Sequence, residues 1–200
     1  ILSVIENLRL EGGKSFSYDN LDTAKHFYKR KPKGNWSPQK LFNKRDVLLI
    51  GDGLTISKHK GALEQYIVSK KPLVVALNTQ SDLSDKLINL RIASHPMRLL
   101  SDYKAHLSFI HPLITPYSML PKNIHELLRK KEILDFGLNA KENKFEFSDY
   151  HCTVPNSLVA AYALAVATSG QAKHILLAGF DGYGSGDVRN AEMSKTLDEY

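Results

Sequence analysis

RDVLLIGDGLTISKHK, residues 45–60, places four apolar residues, Val47 to Ile50, directly before Gly51-Asp52-Gly53 and then offers Thr55 or Ser57 as a helix N-cap. An unbroken apolar run bounded by glycines suits a strand buried on both faces, and a hydroxyl residue ahead of a Lys/Glu-rich periodic segment suits a helix start. The segment reads as strand, tight turn and helix. In open α/β sheets such turns lie at the carboxyl ends of strands, where glycine lets the backbone approach a phosphate and the helix start offers unpaired N–H groups. Only two glycines are present, Ile56 stands where a G-x-G-x-x-G pattern needs its third, and no Gly-Lys-Ser/Thr follows. Neither common phosphate-binding fingerprint is complete.

Downstream of this unit the pattern alternates. A helix is expected over Ser57 to Ser69, and Pro72 opens the strand Leu73 to Leu77, which ends at Asn78. A third strand is expected over Leu87 to Ala93, interrupted in polarity by Asn89 and Arg91, and Pro96 to His106 reads as helical. A short strand about Phe109-Ile110 follows, then a stretch broken by Pro112, Pro116 and Pro121 leads to a helix over Asn123 to Lys131, with Phe145 to Phe147 a short strand beside a loop. SLVAAYALAVAT, Ser157 to Thr168, is apolar all round and rich in small residues, as a helix pressed closely on a sheet would be. Ile175 to Gly179 is another double-faced strand. Five such units imply an α/β fold with a doubly wound, mainly parallel, Rossmann-like sheet and helices on both faces.

Ahead of it, Ile1 to Leu10 and Asn20 to Lys31 read as two helices joined by the turn Glu11 to Lys14, a short helical N-terminal appendage. Ser37-Pro38 has the N-cap and N1 pairing of a further short helix, with Trp36 closing the base of the sheet. The expected division is a connector over 1–44 and a nucleotide-binding domain over 45–200. The chain begins at Ile and ends within a predicted helix, Asn190 to Tyr200, so it is expected to be a piece of a longer polypeptide.

Two hundred residues with 42% hydrophobic content suit one ordinary domain. A single cysteine, Cys152, excludes an internal disulfide framework, no Cys/His spacing suits zinc, and no apolar run has membrane-spanning length. A cytoplasmic setting without membrane span or metal is therefore expected. The net charge of +6 and the pI near 9.2 favour an anionic partner. The basic clusters at Lys25 to Lys33 and Arg129 to Lys131 lack interleaved aromatics, so a small anionic ligand is expected rather than nucleic acid.

Candidate site residues fall just after strands: Gly51, Asp52, Gly53 and Thr55, then Asn78, His95 in Ser94-His95-Pro96, and Asp181 with Tyr183. Each has a plainer alternative: Asn78 caps a turn, His95 is a surface turn residue, and Tyr183 lids the sheet edge. Together they favour a ligand crevice at the carboxyl strand ends. His95 and Asp181 are the catalytic candidates. His151 and Cys152 are adjacent on an extended chain and point apart, so a buried structural cysteine is expected.

VLLIGDGLTISKHK, VVALN, the strand-end SHP, NSLVAAYALAVA and KHILLAGFDGYGSG resemble the pattern of bacterial family 42 sialyltransferases. They are also similar to motility-accessory-factor and 6-hydroxymethylpterin pyrophosphokinase-like domains. The resemblance implies cytidine-nucleotide contacts from the first loop and Asn78, with Ser157 and Tyr183 near ribose and phosphate. In those transferases an Asn occupies the place of His95, and a general-base His lies downstream, whereas no histidine follows His174 here. The whole chain, including NWSPQKLF and FDGYGSGDVRNAEM, resembles more closely the C-terminal domain that follows an HMG-CoA-lyase-like aldolase barrel in surface-polysaccharide clusters.

The leading expectation is a nucleotide or nucleotide-sugar (CMP-sugar-like) binding domain of glycosyltransferase type, coupled to an upstream aldolase domain in the same polypeptide. Gly51, Asp52, Gly53 and Thr55 would cradle phosphate or ribose, Asn78 and His95 would read ribose or base, and Ser157, Tyr183 and Arg189 would hold the diphosphate or sugar side, beside Asp181. A nucleotide is the expected ligand; no cofactor is otherwise implied. The alternatives are a non-catalytic domain that docks or oligomerises the aldolase, in which a homo-oligomer is expected, and a pterin or nucleotide pyrophosphokinase using Asp181 and Asp187.

Overall fold

The computed structural model describes residues 31–79 and 81–182. The helices expected over 1–10 and 190–200 lie outside these residues, as does the helix over 20–31 apart from Lys31. The strands are β1 (Asp46–Ile50), β2 (Leu73–Leu77), β3 (Leu90–Ile92), β4 (Leu113–Thr115), β5 (Ile133–Asp135), β6 (Gly137–Ala140), β7 (Glu146–Phe147), β8 (His151–Val154) and β9 (His174–Ala178). The helices are α1 (Gln39–Phe42), α2 (Thr55–Lys58), α3 (Lys60–Lys70), α4 (Pro96–Ser101), α5 (Tyr103–Ser108), α6 (Lys122–Leu128) and α7 (Val159–Ser169).

Among the described residues, six strands form one sheet in the order β5-β4-β3-β2-β1-β9, and every neighbouring pair is parallel. Alternate side chains supply two cores. Val47, Leu49, Val75 and Ile92 meet Tyr162, Ala163 and Val166 of α7, whereas Leu48, Ile50, Val74 and Ala76 meet Ile56 of α2, Ile67 of α3, Leu83 and Ile88. This is why β1 and β2 read as continuous apolar runs: both faces are covered. Full burial of a side chain such as Leu49, 0% exposed, contributes about 1.5–3 kcal/mol. A smaller sheet, β6-β8-β7, is parallel between β6 and β8 and antiparallel between β7 and β8.

The small residues of α7 allow the close approach the sequence predicts, and the Tyr162 hydroxyl donates to the Phe136 carbonyl. Residues 34–44 pack on the same body. Phe42 is buried in the core with Trp36 against it, and the Asn35 and Trp36 amides both donate to Asp135 O.

Four expectations about elements need correction. The strand placed at Phe109-Ile110 is a loop: Ile110 is 89% exposed, and the strand begins after Pro112, at Leu113. Proline lacks only an N–H, and its carbonyl still accepts the Arg91 amide at 3.0 Å. The third strand is shortened to Leu90–Ile92 because Asp85–Leu87 is a 3-10 turn and the Asn89 side chain takes the Val74 amide at 2.8 Å. The helix after β1 breaks at His59, and that after Pro96 breaks at Asp102. Finally, β5, β6 and β8 carry Asp135, Asn139 and Thr153, and they were not separable from loop by apolar pattern.

Candidate functional site

With six parallel strands, all carboxyl ends open on one rim, and the order of connection reverses between β1 and β9. Along this rim the strand order brings together Ser94-His95 after β3, Asn78-Thr79 after β2, Gly51-Asp52-Gly53 after β1 and Gly179 to Asp181 after β9. Adjacent strands lie about 4.8 Å apart, so these four ends span on the order of 14 Å.

The β1 and β9 turns are joined directly. Gly51 N donates to Ala178 O at 2.8 Å and Gly53 N to Gly179 O at 3.0 Å. The Thr55 amide donates to Asp181 Oδ2 at 2.8 Å, and its hydroxyl donates to Asp181 Oδ1. A Cβ on Gly53 would lie 2.5 Å from Asp181 Oδ2, and one on Gly51 would fall on Gly179 O. Both glycines are therefore required by the passage of the β9 turn. The Thr55 hydroxyl and amide, with Lys58 and His59 nearby, hold the Asp181 carboxyl below the usual carboxylate range. Asp181 thus occupies the Thr55 amide that the sequence reading offered to a phosphate. Asp52 stands exposed in the same turn.

Asn78 ends β2 with φ 57°, a left-handed conformation that asparagine tolerates better than most residues. Its amide donates to Ile92 O at 2.8 Å, and its carbonyl accepts Arg91 Nη1 at 3.2 Å. Beside it, Ser94 Oγ donates to the Ser157 carbonyl at 3.1 Å, which ties the entry to α7 to the end of β3. The Ser157 Oγ and His95 Nδ1 are buried, with no hydrogen-bond partner among the described residues. Burial, and then the positive charge of Arg98, lowers the His95 pKa to about 4. His95 is therefore neutral at pH 7, fit for hydrogen bonding and a weak general base.

His95 and Asp181 sit at the ends of β3 and β9, with β2 and β1 between them. They do not form an acid–base pair. Tyr183 and Arg189 lie outside the described residues. A concavity bounded by Thr55, Ile56, His59, Leu63 and Leu177 to Asp181 flanks β9 and shares the β1–β9 junction. Among the described residues, no three His, Cys, Asp or Glu side chains gather as a metal site, and no helix is long and apolar enough to cross a membrane.

The sequence reading passed over Arg91, seen there only as a break in strand polarity. It is 2% exposed and reaches the β2 turn from β3. A charged residue inside an apolar strand was the available signal, since burial of arginine demands partners. Cys152, by contrast, is buried as expected, with its thiol pushed up to about 12 by desolvation. Native protein is expected to leave this thiol unmodified by a thiol-reactive dye at pH 8, with one equivalent reacting in denaturant; prompt native labelling would contradict the burial.

A parallel sheet covered on both faces, with its switch between β1 and β9, makes this a Rossmann-like α/β domain. No family model matches the chain, and no curated protein is significantly similar to it.

Proposed function

We propose that the domain binds a nucleotide or nucleotide-sugar at the carboxyl rim of its sheet, as a glycosyltransferase-type module coupled to an upstream aldolase in cytoplasmic surface-polysaccharide precursor synthesis. The observation that carries this reading is the alignment of Ser94-His95, Asn78 and Gly51 to Gly53 on adjacent strand ends leading up to the switch of the sheet beside β1. Strand ends of this kind are where open α/β sheets take ligands, and the row of them is long enough for a base, ribose and phosphate laid end to end. Neutral His95 and Asn78 offer uncharged hydrogen-bonding groups suited to base and ribose, whereas the Ser157 hydroxyl is buried. Since Asp181 fills the Thr55 amide, the Gly51–Thr55 turn suits ribose hydroxyls better than phosphate, with Asp52 as acceptor.

A thermal shift series with CMP, CDP, UDP and GDP at millimolar concentration tests this. A ligand at ten times its Kd stabilises the folded state by about 1.4 kcal/mol, so at least one nucleotide is expected to raise Tm measurably. Absence of a shift with all four would remove the reading.

The second reading, a non-catalytic domain that docks an aldolase, is favoured by the Asp181 contact, which plugs the β1 turn with the chain's own carboxylate. It predicts no nucleotide response, together with concentration-dependent association in sedimentation experiments.

A further inference from the structure

Arg91 is buried at the middle of β3, on the sheet face that carries Ile88 and Val74, and its charge is held by an unusual set of partners. Nη1 donates to Asn78 O at 3.2 Å and to Thr79 O at 3.1 Å, and Nη2 meets Asp85 Oδ1 at 2.7 Å. The carbon of the guanidinium lies 3.7 Å from the centre of the Phe109 ring. The Asp85 side chain is 56% exposed, so water would satisfy that carboxylate without a buried partner. The ion pair therefore does not account for a guanidinium inside the sheet. What only a planar fork can do here is hold two successive carbonyls and a carboxylate together.

Those carbonyls belong to the turn at the end of β2. Asn78 is held there in a left-handed conformation that most residues avoid, and such strain persists where surrounding contacts over-determine it. Its amide is bonded to Ile92 O and its carbonyl to Arg91, while its carboxamide makes no hydrogen bond among the described residues. Thr79 is fixed further by its hydroxyl, 3.2 Å from Asp102 Oδ2.

We propose that Arg91 is a positioning residue: it clamps the Asn78 and Thr79 carbonyls and so holds Asn78 at the rim, its carboxamide left for the hydrogen-bonding groups of a nucleoside. The ligand half of this inference rests on the nucleotide reading above; the clamp does not.

Backbone 15N relaxation on wild type, Arg91→Lys and Arg91→Met decides the clamp without ligand. A lysine ammonium cannot span both carbonyls and Asp85. In Arg91→Lys the Asn78 order parameter is expected to fall from about 0.85 to below about 0.6, while β1 amides stay rigid. A folded Arg91→Lys protein with Asn78 and Thr79 unchanged would overturn the clamp. If that variant does not fold, Arg91→Met, which has no donor for either carbonyl, carries the same measurement, with the same fall expected and an unchanged turn overturning the clamp. For the ligand, Arg91→Lys is expected to weaken CDP binding about 10-fold alone but less than about 2-fold in an Asn78→Ala background. Losses that multiply independently would show that Arg91 does not act through Asn78. If wild type binds none of CMP, CDP, UDP and GDP, the nucleotide reading falls, and relaxation alone decides the clamp; if it binds another of these in place of CDP, that nucleotide is used in the cycle.

Discussion

Gly51→Ala is expected to destabilise the fold by about 3 kcal/mol, the upper end of ordinary overpacking costs, because neither partner in the clash can yield. The new methyl would fall on the carbonyl oxygen of Gly179, a backbone atom, while Gly51 itself is bonded through its amide to Ala178 O at 2.8 Å. Relief requires β1 and β9 to separate at the rim, and that would also loosen the Gly53–Gly179 and Thr55–Asp181 bonds. Gly61→Ala provides the control. In α3 a Cβ at that position meets nothing within 4 Å, so the same substitution should stabilise by about 0.5–1 kcal/mol through helix propensity. Urea denaturation of the two variants should therefore give shifts of opposite sign. Equal behaviour would mean that the β1 and β9 turns are not in contact.

Acid is expected to weaken the protein well before its carboxylates titrate. His106, 1% exposed, and His95 both have their pKa lowered to about 4, chiefly by burial. For His106 the charges of Arg91 and Lys131 add to that effect, and Asp102 opposes it; for His95 the added charge is Arg98. In the unfolded chain a histidine takes its proton near pH 6.5. Between pH 6.5 and about 4 the unfolded state thus binds more protons at these histidines than the folded one, so their contribution to stability falls as pH falls through that window and levels off below it. For His106 alone the lowering to about 4 corresponds to a loss of about 3 kcal/mol. Urea midpoints at pH 7, 6, 5 and 4 should drop steadily in wild type and more shallowly in His106→Leu. Parallel curves would place the His106 imidazole in water.

The uneven legibility of the sequence has physical causes. β1 and β2 were readable because strands buried on both faces must be apolar throughout, and α7 because close packing on a sheet selects alanine; β9, expected to be double-faced as well, is apolar yet only partly buried, with Leu177 50% exposed. β4 was misplaced because Phe109-Ile110 looks like a core pair, yet Phe109 serves as a platform under a guanidinium and Ile110 faces outward. No periodicity distinguishes those uses. The rim positions of Gly53, Asn78 and His95 followed from strand polarity alone. The occupation of Thr55 by Asp181 and the reach of Arg91 to Asn78 depend on contacts between residues far apart in the chain, which no local pattern encodes.

The place of β9 bears on how the chain acquires its structure. β1 lies between β2, which follows it closely, and β9, whose His174 meets Asp46 across 128 positions. During synthesis β1 therefore exposes one hydrogen-bonding edge until β9 has left the ribosome. Such non-local pairing is entropically slow to close. Until it closes, the vacant flank of β1 is the place where a nascent chain would recruit a chaperone or a wrong strand.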